Sequence, residues 1–237
     1  MMQGLLAVAR RRRGNDAETA WIVIGVALAT IAVVGAVALI SRRKRRKRAE
    51  AMERIAAELR LEYRPVGSDG LVAQLSSFQL FSKGRSKKVA NMLQGGSGER
   101  RLAIFDYQYT TGGGKSTHVW KTTVLNLSLD GPAMPACMLR RKQVGDTIAS
   151  WFRGRGIEFV GRPMFSKRYL LRGDDEPAIR AVFTEPVVTY FEENPGLFVE
   201  AAGNAMLVYR LGKNVRPEEI GEFLGKGLEL LGVMRAG

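Results

Sequence analysis

The chain has 237 residues, 46% of them hydrophobic, and carries 37 Lys and Arg against 23 Asp and Glu for a formal charge of +14. One histidine, His118, and one cysteine, Cys137, exclude an internal disulfide framework, metal sites built on several His or on Cys pairs, and any Ser-His-Asp triad that does not use His118. The basic balance resembles that of a nucleic-acid binder only until it is located. Residues 1–48 hold 11 Lys/Arg and 2 Asp/Glu, whereas residues 49–237 hold 26 and 21, so most of the excess flanks one apolar stretch.

Residues 1–19 form a short basic tail containing Arg10 to Arg13, of which Met1 to Gly14 are expected to be poorly ordered or to lie on a membrane surface. Residues 20–40, AWIVIGVALATIAVVGAVALI, hold no charge over 21 positions. As a helix they reach roughly 30 Å, the thickness of a bilayer's hydrocarbon core. Thr30 is the only polar side chain inside, and its hydroxyl is expected to bond a carbonyl of the preceding turn. A soluble helix of this length would show a polar face. A signal peptide would be shorter, at about 7–15 apolar residues, and would end in small residues rather than arginines. The stretch is therefore read as an uncleaved single-pass anchor. Ala27, Ala32 and Ala36 leave homo-oligomerisation through it open.

Residues 41–48 are a polybasic juxtamembrane run, Ser41 followed by Arg42, Arg43, Lys44, Arg45, Arg46, Lys47 and Arg48. Each cation beside an anionic leaflet contributes about 1 kcal/mol of attraction, so all seven are candidates for headgroup contact. Only four arginines precede the span, with Asp16 and Glu18 between. Positive residues favour the cytoplasmic side, which predicts a cell (inner) membrane protein with its C-terminal domain in the cytoplasm.

Residues 49–237 are enough for one domain with its own core. A helix is expected from Ala49 to Leu61, with Met52, Ile55, Ala56 and Leu59 at helical spacing, stopped by Pro65 and Gly67. Gly70 to Phe81 reads as a short strand, Ser82 to Lys88 as a basic turn, and VANMLQ as a lead into the loop from Gly95 to Glu99. The clearest hairpin pairs Arg101–Tyr109 with Thr117–Leu127 across TTGGGKS, with Ala103, Phe105, Tyr107 and Tyr109 on one face. A strand from Ala136 to Lys142, a short helix from Val144 to Phe152 and a strand from Met164 to Arg172 follow.

Gly173-Asp174-Asp175-Glu176-Pro177 starts a helix, which Pro186 kinks or restarts and Asn194-Pro195-Gly196 ends. Leu197–Ala202 and Ala205–Arg210 pair across Gly203-Asn204. Pro217 opens a last helix with Ile220, Phe223, Leu224, Leu228 and Leu231 inward. The order predicts an α+β class, an antiparallel sheet with helices packed on one face.

Chemistry is harder to find. GGGKS fails as a nucleotide loop, because the required glycine falls on Tyr109 and a strand follows instead of a helix. What survives is an anion-binding turn made of Gly112, Gly113, Gly114 and Lys115. His118 reads as a strand residue and Cys137 as a buried thiol. Asp174, Asp175 and Glu176 are explained by helix capping before any cation. The patches Lys83–Lys88 and Arg140–Lys142 suit a membrane or an acidic partner, but lack the aromatic interleaving that stacks bases, so nucleic acid is not the expected partner. No catalytic residue, cofactor or metal is assigned.

Two segments, Phe105-Asp106-Tyr107-Gln108-Tyr109-Thr110 (FDYxYT) and Phe165 to Asp174 (FSxxYxLxGD), follow a helix ending in Leu61-Glu62-Tyr63. This set resembles a group of bacterial membrane-anchored α+β domain proteins, over roughly residues 49–231. The resemblance implies a bacterial source and a membrane location, and it carries no activity, cofactor or site residue. The reading is of a membrane-anchored protein whose cytoplasmic domain is a binding module for a protein partner, and not an enzyme. A membrane-surface enzyme using carboxylate or Lys chemistry and an extracytoplasmic envelope domain remain the alternatives.

Overall fold

The computed structural model describes residues 2–67, 69–97, 100–128, 131–142 and 156–236. The expected helix from Val144 to Phe152 lies outside them. The chain divides into two compact units, residues 1–48 and 49–237. One helix, α1 (Met2–Glu58), is continuous through the tail, the apolar stretch and the polybasic run, so the tail is helical too. No Gly or Pro interrupts residues 41–58 to stop it.

Residues 49–237 are built on one eight-stranded antiparallel sheet: β1 (Glu62–Val66), β2 (Arg85–Ser97), β3 (Arg100–Thr111), β4 (His118–Ser128), β5 (Met134–Arg141), β6 (Tyr169–Gly173), β7 (Phe198–Gly203) and β8 (Ala205–Tyr209). The spatial order is β1-β2-β3-β4-β8-β7-β5-β6. The expected α+β class is therefore present. The larger core lies on one face. There Met52 and Ala56 of α1, together with α5 (Glu176–Val182), α6 (Glu185–Glu193) and α7 (Ile220–Ala236), cover Leu93, Ile104, Leu125, Leu139 and Val208. α4 (Pro163–Arg168) adds Phe165 to this layer.

The other face is not bare. The segment expected as a strand over Gly70–Phe81 is instead two short helices, α2 (Asp69–Gln74) and α3 (Gln79–Ser82). Leu71, Leu75, Phe78, Leu80 and Phe81 recur at spacings of one to four, which suits turns of helix more than a strand's alternation, and they bury Phe105, Tyr107 and Tyr109. The shared face of Ala103, Phe105, Tyr107 and Tyr109 is as expected. Phe81 meets Tyr107 at a tilt with centroids 4.3 Å apart, and Tyr107 stacks on Tyr109 at 5.5 Å.

Two strands are new. β1 carries Pro65, which an edge strand tolerates because one side of its backbone needs no partner. β2 runs through the supposed basic turn and loop, because bulges shift its register between Arg85 and Lys88 and between Ala90 and Leu93. Ser86 (φ 53°) and Asn91 (φ 51°) supply the left-handed backbone there. The strand expected over Met164–Arg172 is α4 followed by β6. The helix expected from Asp175 begins as predicted, with Asp175 accepting from the Ala178 amide at 3.0 Å, and Pro186 starts α6 as a separate helix. In α7 the buried face is Ile220, Phe223, Gly227, Leu230 and Met234, whereas Leu228 is 45% exposed, contrary to expectation. Gly227 explains the shift. A Cβ there would sit 2.1 Å from Leu125 Cδ2, so glycine lets the helix lie close on the sheet.

Asp106 of the FDYxYT segment ties four strands together. Its carboxylate accepts from Asn91 Nδ2 (2.8 Å) and Thr123 Oγ1 (2.9 Å); Asn91 Oδ1 accepts from Tyr63 OH (3.1 Å), and Thr123 Oγ1 accepts from the Val215 amide (3.0 Å). Asp106→Ala strands one buried donor, Thr123, and one half-buried donor, Asn91, and urea unfolding is expected to show a loss of about 2 kcal/mol. Asp106→Asn, which keeps one acceptor, is expected to lose less.

Candidate functional site

Three features of the described residues bear on function. The first is the apolar part of α1. Ile24 to Ile40 are all exposed, including Ile31 at 67% and Val33 at 63%. A continuous sleeve of exposed aliphatic side chains is stable in lipid and not in water. Thr30 Oγ1 donates to the Val26 carbonyl at 2.8 Å, the back-bond expected for a hydroxyl in an apolar span. From Ile24 onward this is the one described helix long and apolar enough to cross a membrane, and it lies near the N-terminus. The side chains from Arg42 to Lys47 are exposed on the following turns, and Arg48 is half-buried.

The second is the tip of the β3–β4 hairpin. Gly112 (φ 73°) and Gly114 (φ 55°) adopt left-handed backbone, and Gly114–Ser116 forms a 3₁₀ turn closed by the Ser116 amide on the Gly113 carbonyl. That amide is consequently spent within the turn, while Gly112, Gly113 and Gly114 stay exposed. The Lys115 side chain lies outside the described residues. The structure adds a neighbour the sequence did not announce. Arg85, from the basic turn, donates its guanidinium to the Gly112 carbonyl. Gly84 (φ 72°) makes this approach feasible, since a Cβ there would lie 2.7 Å from the Thr110 carbonyl oxygen. His118 is exposed and packs edge-on to Trp120 at 4.3 Å, and Trp120 Nε1 donates to Thr111 Oγ1 at 2.9 Å.

The third feature escaped sequence reading. Glu200 on β7 is 2% exposed, yet it is a carboxylate. It caps α3, accepting from the amides of Gln79 (2.5 Å) and Leu80 (3.1 Å), and it accepts from Tyr209 OH (2.6 Å). Burial pushes its pKa above the usual carboxylate value, against the pull of these donors and of Lys83. The same burial depresses the Lys83 ammonium, which the Glu200 charge partly restores, and pushes the Tyr109 phenol up to about 12. These groups, with Met138, Phe198 and Leu211, line a cavity of about 80 Å³, room for a few waters only. The arrangement fastens α3 to the sheet. A Glu in a strand that otherwise reads FV-E-AAG is the signal that was available, a lone charge in an apolar run.

The remaining candidates resolve into structure. Cys137 is buried, and burial pushes its thiol up to about 12, so it is no nucleophile. Asp175 is a cap and Glu176 pairs with Arg180 at 2.7 Å. Among the described residues no group of three His, Cys, Asp or Glu side chains is placed to hold a metal ion.

No family model matches the sequence, and no curated protein matches it. The chain is similar in structure to the crystal structure of the mycobacterial trehalose monomycolate transport factor A, TtfA, with a TM-score of 0.54 and 15% identity, covering 78% of this chain and 94% of that one. At that identity the likeness is one of fold.

Proposed function

We propose that this protein is a single-pass membrane protein whose α+β domain is a binding module held at the cytoplasmic face of the cell membrane, where it engages a protein partner instead of carrying out chemistry. The observation that carries the reading is the sequence of features on α1: an exposed apolar helix from Ile24 to Ile40, then seven cations in Arg42–Arg48. Lys and Arg concentrated after a span hold that end on the cytoplasmic side. The same run gives anionic headgroups a contact. The fold is shared with a protein named as a transport factor, and the FDYxYT and FSxxYxLxGD segments suit a bacterial family of anchored domains.

The test is a tag at the C-terminus and a protease added to spheroplasts. The tag is expected to survive while the membrane is intact and to be lost once it is permeabilised. Loss from intact spheroplasts places the domain outside and overturns the orientation.

A further inference from the structure

Three stretches far apart in sequence meet at one end of the sheet. Arg85 pairs with Thr110 and Thr111 with His118, which brings the 82–88 turn and the 108–121 hairpin together. After β8 the chain runs on beside β4: the Arg210 carbonyl accepts from Thr122 Oγ1 at 2.8 Å, and a Cβ on Gly212 would lie 3.8 Å from the Trp120 ring. Residues 82–88, 108–121 and 210–215 together contain eight Lys and Arg and no Asp or Glu. The other residues of 49–237 contain 18 Lys and Arg against 21 Asp and Glu. The domain is thus electrically polarised, with its cations gathered by the fold at one end. Arg85, Lys88, Lys121 and Lys213 are exposed there, as are the three glycines of the hairpin tip and Val119, which is 46% exposed. Trp120 is half-buried beside them.

We infer that this end of the sheet is a second membrane-contact surface, which docks on the anionic headgroups of the leaflet beside the anchor. Charge and chemistry favour that partner. An array of cations, in which Glu219 acts on Lys213, Glu222 on Arg210 and the buried Glu200 on Lys83, still carries an excess of positive charge that fits a surface of many phosphates, and Trp and an exposed aliphatic residue beside a glycine-rich tip suit the boundary between headgroups and acyl chains. The inference rests on the reading that residues 20–40 cross a bilayer. Covalent continuity then supplies the membrane at high local concentration, so weak contacts suffice.

The experiment uses the full chain in nanodiscs, neutral or containing anionic lipid, with a quencher attached to a fraction of the headgroups. A fluorophore is placed at Ser116→Cys on the tip, or at Asp174→Cys as the reference. The buried Cys137 stays unlabelled. Asp174 follows Gly173, which aligns through Cys137, Ala201 and Met206 with Leu127, the opposite end of β4. Quenching at 116 is expected to exceed that at 174 in anionic discs and to fall to the level of 174 in neutral discs and at high salt.

Each cation near an anionic leaflet favours the docked state by about fivefold, so Lys88→Glu with Lys121→Glu and Lys213→Glu is expected to weaken docking by about a hundredfold or more while leaving residues 42–48 intact. Near-ultraviolet circular dichroism of the variant checks that these exposed changes preserve the fold. Quenching at 116 no greater than at 174 in anionic discs, or insensitive to lipid charge and to the triple substitution, overturns the proposal. The orientation reading is untouched by either result, since a disc offers both leaflets and the protease test decides sidedness separately.

Discussion

Glu200→Ala is expected to lower the stability of the folded domain by about 3 kcal/mol, a large effect for a single side chain that touches no ligand. Truncation leaves the Gln79 and Leu80 amides and the Tyr209 hydroxyl without their acceptor. Each orphaned buried donor costs about 1–3 kcal/mol, partly offset because the carboxylate no longer has to be desolvated. The pH dependence separates these terms. Burial holds the folded pKa of Glu200 above its ordinary 4.5. An acid whose folded pKa is raised contributes stability that is fully present below the unfolded value, and that stability is lost as pH rises through the folded value. Urea unfolding of the native protein and of Glu200→Gln is therefore expected to show the native advantage largest at pH 4 and shrinking toward pH 8. An advantage that grows with pH would mean that the three donors outweigh burial.

The second large effect is at Gly173, in the FSxxYxLxGD segment. A Cβ there would lie 2.4 Å from the Ala136 carbonyl oxygen, 2.3 Å from Ile179 Cδ1 and 3.3 Å from Cys137 Cα. Ile179 can turn away, but the Ala136 and Cys137 backbone belongs to β5, which pairs with β6 at Cys137 and Gly173. Gly173→Ala must push the two strands apart and is expected to cost about 3 kcal/mol. That corresponds to a fall in Tm of about 6–12 °C for a domain of this size. The contrasting substitution is Gly221→Ala in α7, where nothing lies within 4 Å of the new methyl. There the expected result is a gain of about 1 kcal/mol from helix propensity. A similar response at both positions would show that backbone conformation, and not the β5–β6 approach, governs Gly173.

These two glycines also show where sequence stops being informative. The β3–β4 and β7–β8 hairpins, the Asp175 cap and the break at Pro186 were legible because each depends on neighbours a few residues apart. Gly173 and Gly227 are needed for contacts with residues 36 and 102 positions away, Ala136 included at 37, and nothing local marks them. β2 was missed because its bulges spoil the alternation on which strand recognition rests, and α2 and α3 because short apolar runs fit either period. Of the site, the anchor and its cations are visible as composition. The basic end of the sheet is not, since 82–88, 108–121 and 210–215 become neighbours only through strand pairing. Glu200 stands out as a charge in an apolar run, but the two amides it caps lie 121 and 120 residues upstream.

The seam between β4 and β8 sets the timing of the domain's assembly. Residues 62–128 can close as a meander of consecutive strands, but the edge offered by β4 is matched only by Ala205–Tyr209. A ribosome adding about 5–20 residues per second needs about 4–15 s to span that interval. During that wait Val124 and its neighbours present an unpaired ladder in a half-made sheet. Nascent chains of this protein should accordingly be most dependent on chaperones, and most prone to pair with one another, after the first half has been synthesised and before residue 205 emerges.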